Sequence, residues 1–165
     1  MNTTIMLASM LTTTDQGLQR FQQAMAGLFR HGTLQRLHEH VASRAGIDCE
    51  RAGFLVMRRV VSEGPIRVTD LARDLGLDPS TISRHLRAVE VRGWVRRVAD
   101  PGDRRAALVT ATKSGERVVA RLETERRRLL ASVLDGWDPA DRDALFNLTE
   151  RFAADLTDHV QSHLT

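Results

Sequence analysis

Apolar positions recur at helical spacing early in the chain, with Leu18, Phe21, Met25, Leu28, Leu34, Leu37 and Val41 on one face despite Gly27 and Gly32. The "TTDQ" run puts Thr13 three residues before Gln16, a capping-box pattern, so a long helix is expected from Thr13 to Gly46. Asp48 then reads as the N-cap of a second helix, "DCERAGFLVMRRVVSEG", apolar on most faces and therefore central, which Gly64-Pro65 ends. Two short helices follow. One starts near Thr69 and stops at Gly76; the other has Asp78 as N-cap and Pro79 at its first position, and stops at Gly93. Trp94 to Ala99 and Ala106 to Ala111 read as strands joined by a turn whose Pro101-Gly102 pair favours type II. Thr112 can cap a long helix carrying Val118, Val119, Leu122, Leu129, Leu130 and Val133. Asp138-Pro139 opens a last helix with Leu145, Leu148, Phe152, Leu156 and Val160 on one stripe.

The stretch "LARDLGLDPSTISRHLRAV" carries the chemistry. Leu71, Ala72 and Leu75 face inward from its first helix, Leu77 plugs the turn, and Ile82, Leu86 and Val89 face inward from its second. The connection Gly76-Leu77-Asp78 has the length and the glycine of a helix-turn-helix. Ser80, Thr81, Ser83, Arg84 and Arg87 are left outside, near the helix end that enters the major groove in this motif. Arginine grips guanine O6 and N7 bidentately, and hydroxyls reach bases or phosphates. The bland alternative is a surface helix with an arginine-rich face. The hairpin that follows argues against it: a tight hairpin directly after such a helix is a wing, and its tip can reach the minor groove. In "DPGDRR", Asp103 is two residues from Arg105 and can orient its guanidinium, while Asp100 caps the turn.

Charge supports this reading by its distribution rather than its total. The 165 residues carry 24 basic and 21 acidic side chains, a net of +3. From Arg84 to Arg105 there are seven arginines against Glu90, Asp100 and Asp103; from Asp135 to Thr165 there are seven acids against Arg142 and Arg151. A basic middle and an acidic tail suggest a polyanion-binding surface with another task elsewhere. Cys49 is the single cysteine, so no intramolecular disulfide forms, which fits a reducing cytoplasm. "MNTTIMLASML" makes a poor signal peptide and no stretch is long enough to span a bilayer, so a soluble, cytoplasmic protein with no membrane partner is expected.

The run "GPIRVTDLARDLGLDPSTISRHLRAVEVRGWVRRVADPGDRRAALVTATKSGE" resembles the winged-helix core of the MarR family of bacterial transcriptional regulators. The resemblance rests on "LARDLGL", "STISRHL", the junction Arg92, Gly93, Val95 and Arg97, "DPGDRR" and "TKSGE", and extends to the flanking long helices. It implies a mainly α fold: a winged helix-turn-helix core with a two-stranded β wing, flanked by long N- and C-terminal dimerisation helices. The expected layout is a single domain over 1–165, with dimerisation helices at 13–46 and 112–165 around a DNA-binding lobe at 48–111. It further implies a homodimer on a pseudo-palindromic operator in double-stranded DNA, acting as a repressor and released by a small aromatic or phenolic ligand. The candidate DNA-contacting set is Thr69, Pro79, Ser80, Thr81, Ser83, Arg84, Arg87, Arg97, Asp103, Arg104 and Arg105. The effector pocket is assigned as a guess to Phe29, His38, Phe54 and Arg58. Two departures stand out. Gly102 takes a place where many relatives carry a longer polar or basic residue, which reduces wing contacts, and Trp94 replaces the usual aliphatic residue as core.

Other readings are weaker. Redox sensing at Cys49 is disfavoured because it opens the second helix rather than the first, the chain has no tyrosine, and Asp48 and Glu50 raise its pKa. His38, His40, His159 and His163 invite metal sensing, but the pair His159 and His163 lacks a placed third ligand. His85 reads as a packing residue that can also contact a phosphate. No metal or cofactor is assigned. No phosphate loop or nucleophile triad supports an enzyme, and the basic segment argues against an adaptor that has lost DNA binding.

Overall fold

The structure, a computed structural model, describes residues 3–163; the side chains of residues 3–14 and 104–106 lie outside that description. The elements run α1 (Thr3–Leu28), α2 (His31–Ala45), α3 (Arg51–Glu63), β1 (Ile66–Arg67), α4 (Val68–Leu75), α5 (Pro79–Val91), β2 (Val95–Asp100), β3 (Asp103–Ala111), α6 (Lys113–Val133) and α7 (Pro139–His163). The chain divides into two units, Met1–Glu125 and Arg126–Thr165, the boundary falling within α6. Among the described residues no helix is long and apolar enough to cross a membrane.

In the first unit α3 is the central helix. It buries Phe54, Val56, Met57 and Val60. Around it lie Val41, Ala42 and Ala45 of α2, Leu71 and Ala72 of α4, and Ile82, Leu86 and Val89 of α5. Val95 and Val109 contribute from the sheet, and Val119 and Leu122 from α6. The sheet is antiparallel in the order β1-β3-β2, one strand more than the two-stranded wing expected. The extra strand, β1, pairs Ile66 with Val109 and Arg67 with Leu108. Both helix-turn-helix helices form where the pattern places them. Gly76 adopts φ 62° and α4 closes with Gly76 N–H on Arg73 O and Leu77 N–H on Ala72 O, a left-handed stop that glycine takes without penalty.

Several expectations change. The helix predicted from Thr13 to Gly46 is two helices. The first starts ten residues upstream of Thr13, which is therefore interior to α1; the Thr13 side chain lies outside the described residues. The break is at Phe29 and Arg30, not at Gly27 or Gly32, because Arg30 adopts an extended ψ of 126° and α2 restarts beyond it. Asp48 does not cap α3. Glu50 occupies that position without a side-chain cap bond, and the Asp48 carboxylate is held by Arg92 instead. Leu77 does not plug its turn; it is 39% exposed and lines a shallow groove with Leu55, Leu75, Arg51 and His85. The wing turn is not type II, which needs positive φ at its third residue, and Gly102 is not among the positive-φ glycines.

The predicted cap of α6 does form. Thr112 Oγ1 accepts from Gly115 N–H at 3.1 Å while it donates toward Gly93 O at 2.7 Å. Gly115 is buried so closely against Trp94 that a Cβ built there would land on the Trp94 carbonyl oxygen. In the second unit, Asp138 Oδ1 accepts from Ala140 N–H at 2.8 Å and opens α7. That helix buries none of its residues, so Leu145, Leu148, Phe152, Leu156 and Val160 all remain exposed, as do Leu18, Phe21 and Leu28 on α1.

Candidate nucleic-acid interface

The α5 helix has two faces of different composition. Ile82, Leu86 and Val89 point into the core, and His85 is half-buried. The N-terminus is built by Asp78, whose carboxylate accepts from the Ser80 and Thr81 amides at 3.0 and 2.9 Å and from both their hydroxyls. Those bonds, the Ser80 hydroxyl first, hold the Asp78 carboxyl well below the usual carboxylate range. Ser83 donates its hydroxyl to Pro79 O at 2.7 Å. The three hydroxyl protons are therefore directed at the protein, and toward a ligand Ser80, Thr81 and Ser83 offer acceptor lone pairs. Arg84 and Arg87 stand exposed three residues apart, with no carboxylate partner among the described residues.

Several other arginines of this lobe are held by carboxylates. Arg97 reaches Glu90 at 3.4 Å. Arg92 spans from the end of α5 to Asp48, 2.7 Å from its carboxylate and bonded to its carbonyl, with the guanidinium carbon 5.1 Å from the Trp94 ring centre. Arg59 bridges Asp74 and Glu63, and Arg73 pairs with Asp70. Arg96 on β2 is exposed and unpaired among the described residues, a free cation that was not singled out in the sequence.

At the wing, Asp100 Oδ1 accepts from Gly102 N–H at 2.8 Å, the turn-capping role expected of it. Its other oxygen meets Arg67 Nε at 2.7 Å, a partner no local pattern announces. The Gly102 amide first, and Arg67 next, hold the Asp100 carboxyl below the usual range. Asp103 is exposed beside the turn. The side chains of Arg104 and Arg105 lie outside the described residues, and with them the Asp103 to Arg105 pairing expected from sequence. Thr69 is exposed in the first turn of α4 and Pro79 opens α5.

Of the four pocket guesses, two come together. His38 and Phe54 are buried with ring centres 5.6 Å apart, whereas Phe29 and Arg58 are exposed. His38 Nε2 donates to Cys49 O at 2.7 Å, so in the neutral ring Nδ1 carries the lone pair, and it is buried without a hydrogen-bond partner. Cys49 is itself buried, and its thiol is pushed up to about 11, first by desolvation, against the lowering effect of Arg92. His159 and His163 stack with ring centres 4.3 Å apart, and among the described residues no three metal-ligating side chains cluster.

The MarR family model matches residues 50–107, the stretch that holds α3 to the wing. The chain is 32% identical over 104 residues to the HTH-type transcriptional regulator YxaD of Bacillus subtilis, covering 63% of this chain and 73% of that protein. It is 27% identical over 106 residues to YdgJ of the same organism, an HTH-type regulator of which it spans 63%. Among solved structures, a MarR family protein from Bacillus stearothermophilus superposes with a TM-score of 0.73 at 19% identity, over 88% of this chain and 97% of that one. The regulator Tm0710 from Thermotoga maritima gives 0.62 at 20% identity, over 88% and 98%.

Proposed function

The chain belongs to the MarR family of DNA-binding transcriptional regulators, and on that premise we propose that it works as a homodimer that represses by occupying a pseudo-palindromic operator. The observation that carries the reading is the outward face of α5. The apolar residues of that helix are used inward, and Arg84 and Arg87 are left exposed and unpaired. An arginine so placed can take guanine O6 and N7 in the major groove. The wing follows directly, with Arg104 and Arg105 for the minor groove and phosphates, and Thr69, Pro79, Ser80, Thr81, Ser83, Arg97 and Asp103 as the rest of the contact set.

Dimerisation is supported by the apolar faces of α7 and α1, which are exposed in one chain. Two copies would set two α5 helices on half-sites one helical turn apart. Release by a small aromatic or phenolic effector is the final part of the proposal. His38 supports it: its unpartnered Nδ1 beside Phe54 accepts a hydrogen bond of the kind a phenol hydroxyl donates. An effector acts only through different affinities for two states of the dimer.

Selection of bound duplexes from a random pool, repeated with a library of phenolic acids, tests operator reading, its two-fold symmetry and release. The expected product is a pseudo-palindrome bound with a steep salt dependence. Enrichment of no sequence would refute operator reading, and an unchanged pool across the library would refute phenolic release.

A further inference from the structure

We propose that Arg67 is a positioning residue for DNA binding, which ties the wing to the first helix of the helix-turn-helix through Asp100; the inference rests on the wing contacting DNA. Arg67 is fixed at its backbone twice. It pairs with Leu108 in the sheet and it is the N-cap residue of α4. Its side chain then reaches across to the residue that closes the wing. Asp100 is 8% exposed, and one of its oxygens receives Arg67 Nε at 2.7 Å and Nη2 at 2.5 Å. The other receives Gly102 N–H at 2.8 Å, and Asp103 N–H adds a further bond to the carboxylate.

The wing needs such a tie. The ladder runs in register from Val95 paired with Ala111 to Ala99 paired with Ala107, and then jumps, so that Asp100 pairs with Asp103. Arg104, Arg105 and Ala106 are the residues the jump leaves without partners on β2. A bulge of this kind loosens pairing and redirects the chain. Asp100 sits at the jump, and its carboxylate holds the turn amides on one side and the Arg67 guanidinium on the other. The direction of the tip is thus set relative to α4, and through α4 relative to α5. Two guanidinium donors converge on one carboxylate oxygen while the turn amide holds the other, so the carboxylate is fixed from both sides by charge-assisted bonds.

Two roles for Arg67 give opposite signs. If Arg67 is a plain phosphate contact, Arg67→Ala weakens binding, and Asp100→Asn, which removes a negative charge near DNA, strengthens it. The tether predicts that both variants weaken binding by about five- to tenfold, and that the double variant is no weaker than the worse single one, since coupled residues fail to add. Arg67→Lys keeps the charge without the planar fork and should recover only part of the loss. Affinity is measured on one selected operator and on versions with A·T-rich and G·C-rich flanks, with thermal melts to establish that each variant is folded. If Asp100→Asn does not fold, Arg67→Gln and Arg67→Lys carry the comparison. The tether expects these variants to lose flank preference while the central base preference of α5 is kept. Tighter binding by Asp100→Asn, additive losses, or Arg67 variants with undiminished flank preference would overturn it. Arg105→Ala on the same duplexes separates the premise from the proposal. If Arg105→Ala keeps full flank preference, the wing reading fails and takes the tether with it; if it loses that preference while the Arg67 variants retain it, the tether alone fails.

Discussion

Gly115→Ala should be among the most damaging single-methyl additions in this protein. The glycine lies in the first turn of α6, within the cap formed by Thr112, and its Cα faces the Trp94 backbone. The added methyl would overlap the Trp94 carbonyl oxygen, which is backbone and cannot rotate away. Forcing extra volume into a packed site costs about 1–3 kcal/mol. The displacement also pulls Trp94 O from Thr112 N–H, now at 3.0 Å, a bond contributing about 0.5–1.5 kcal/mol. The total is about 1.5–4.5 kcal/mol, of which alanine's better helix propensity returns about 0.5–1 kcal/mol, leaving about 0.5–4 kcal/mol. At about 2–4 °C per kcal/mol for a chain of this size, Tm falls by about 1–16 °C. Two controls separate the clash from glycine chemistry in general. At Gly53 the new Cβ meets Val89 Cγ1 at 3.3 Å, a side-chain atom that can shift, so Gly53→Ala should cost far less. At Gly32 nothing lies within 4 Å, and Gly32→Ala should be neutral or slightly stabilising. Circular dichroism melts at one protein concentration give the ranking, the concentration being fixed because association shifts Tm. A Gly115→Ala protein that melts within a degree of the parent would refute the close approach of α6 to Trp94.

The thiol of Cys49, pushed up to about 11, should react with iodoacetamide at pH 7.5 far more slowly in the folded protein than in urea, and Cys49→Ser should keep DNA binding and show no altered response to peroxide; Cys49-dependent release from DNA by peroxide would refute this. Asp78 has a folded-state pKa below its unfolded value, so it stabilises α5 above the ordinary carboxylate range near about 4, and that contribution fades as pH falls further. Melts below pH 4 should therefore drop less steeply for Asp78→Asn than for the parent, and equal slopes would contradict the cap. Removing Gly136–Thr165 takes away α7 and its apolar stripe, and should give a monomer or an insoluble protein; a truncated chain that sediments as a stable dimer would exclude α7 from the interface.

The helix-turn-helix was legible because its signals are local. Gly76 takes a left-handed stop, Asp78 caps, Pro79 starts the next helix, and Ile82, Leu86 and Val89 share one face, all within the reach of a short window. The break between α1 and α2 carries no such mark. Neither Phe29 nor Arg30 is a breaker, and the nearby glycines, which looked like the weak points, are helical. β1 is two residues long and exists only through its partner β3, so no pattern within it could announce a strand. Asp48 shows the limit most plainly. A carboxylate three residues before a helix reads as a cap by local logic, yet the stronger demand comes from Arg92, 44 positions away. Asp100 was half legible: its turn amides are neighbours, but Arg67 is 33 positions distant.

The same long-range pairs decide what the basic segment means. Counted along the chain, Arg84 to Arg105 has four more arginines than acids. In the folded lobe Asp48 enters from outside that window to neutralise Arg92, and Arg67 enters to neutralise Asp100, so the excess is unchanged while its location moves. Arg92 and Arg97 are partly neutralised: one clamps the end of α5 to the loop before α3, and the other is drawn toward Glu90 on α5 while its side chain stays accessible. Of the seven arginines of that segment, those unpaired among the described side chains are Arg84 and Arg87 on the outward face of α5 and Arg96 on β2. An arginine already held by a carboxylate neutralises little of a phosphate's charge and releases few counterions, so the electrostatic part of binding belongs to the free cations. The ion pairs of this lobe therefore do more than stiffen it. By neutralising Arg92 and Arg97, they leave the positive charge of this segment's described side chains on Arg84, Arg87 and Arg96, the first two on the face of α5 proposed to meet DNA.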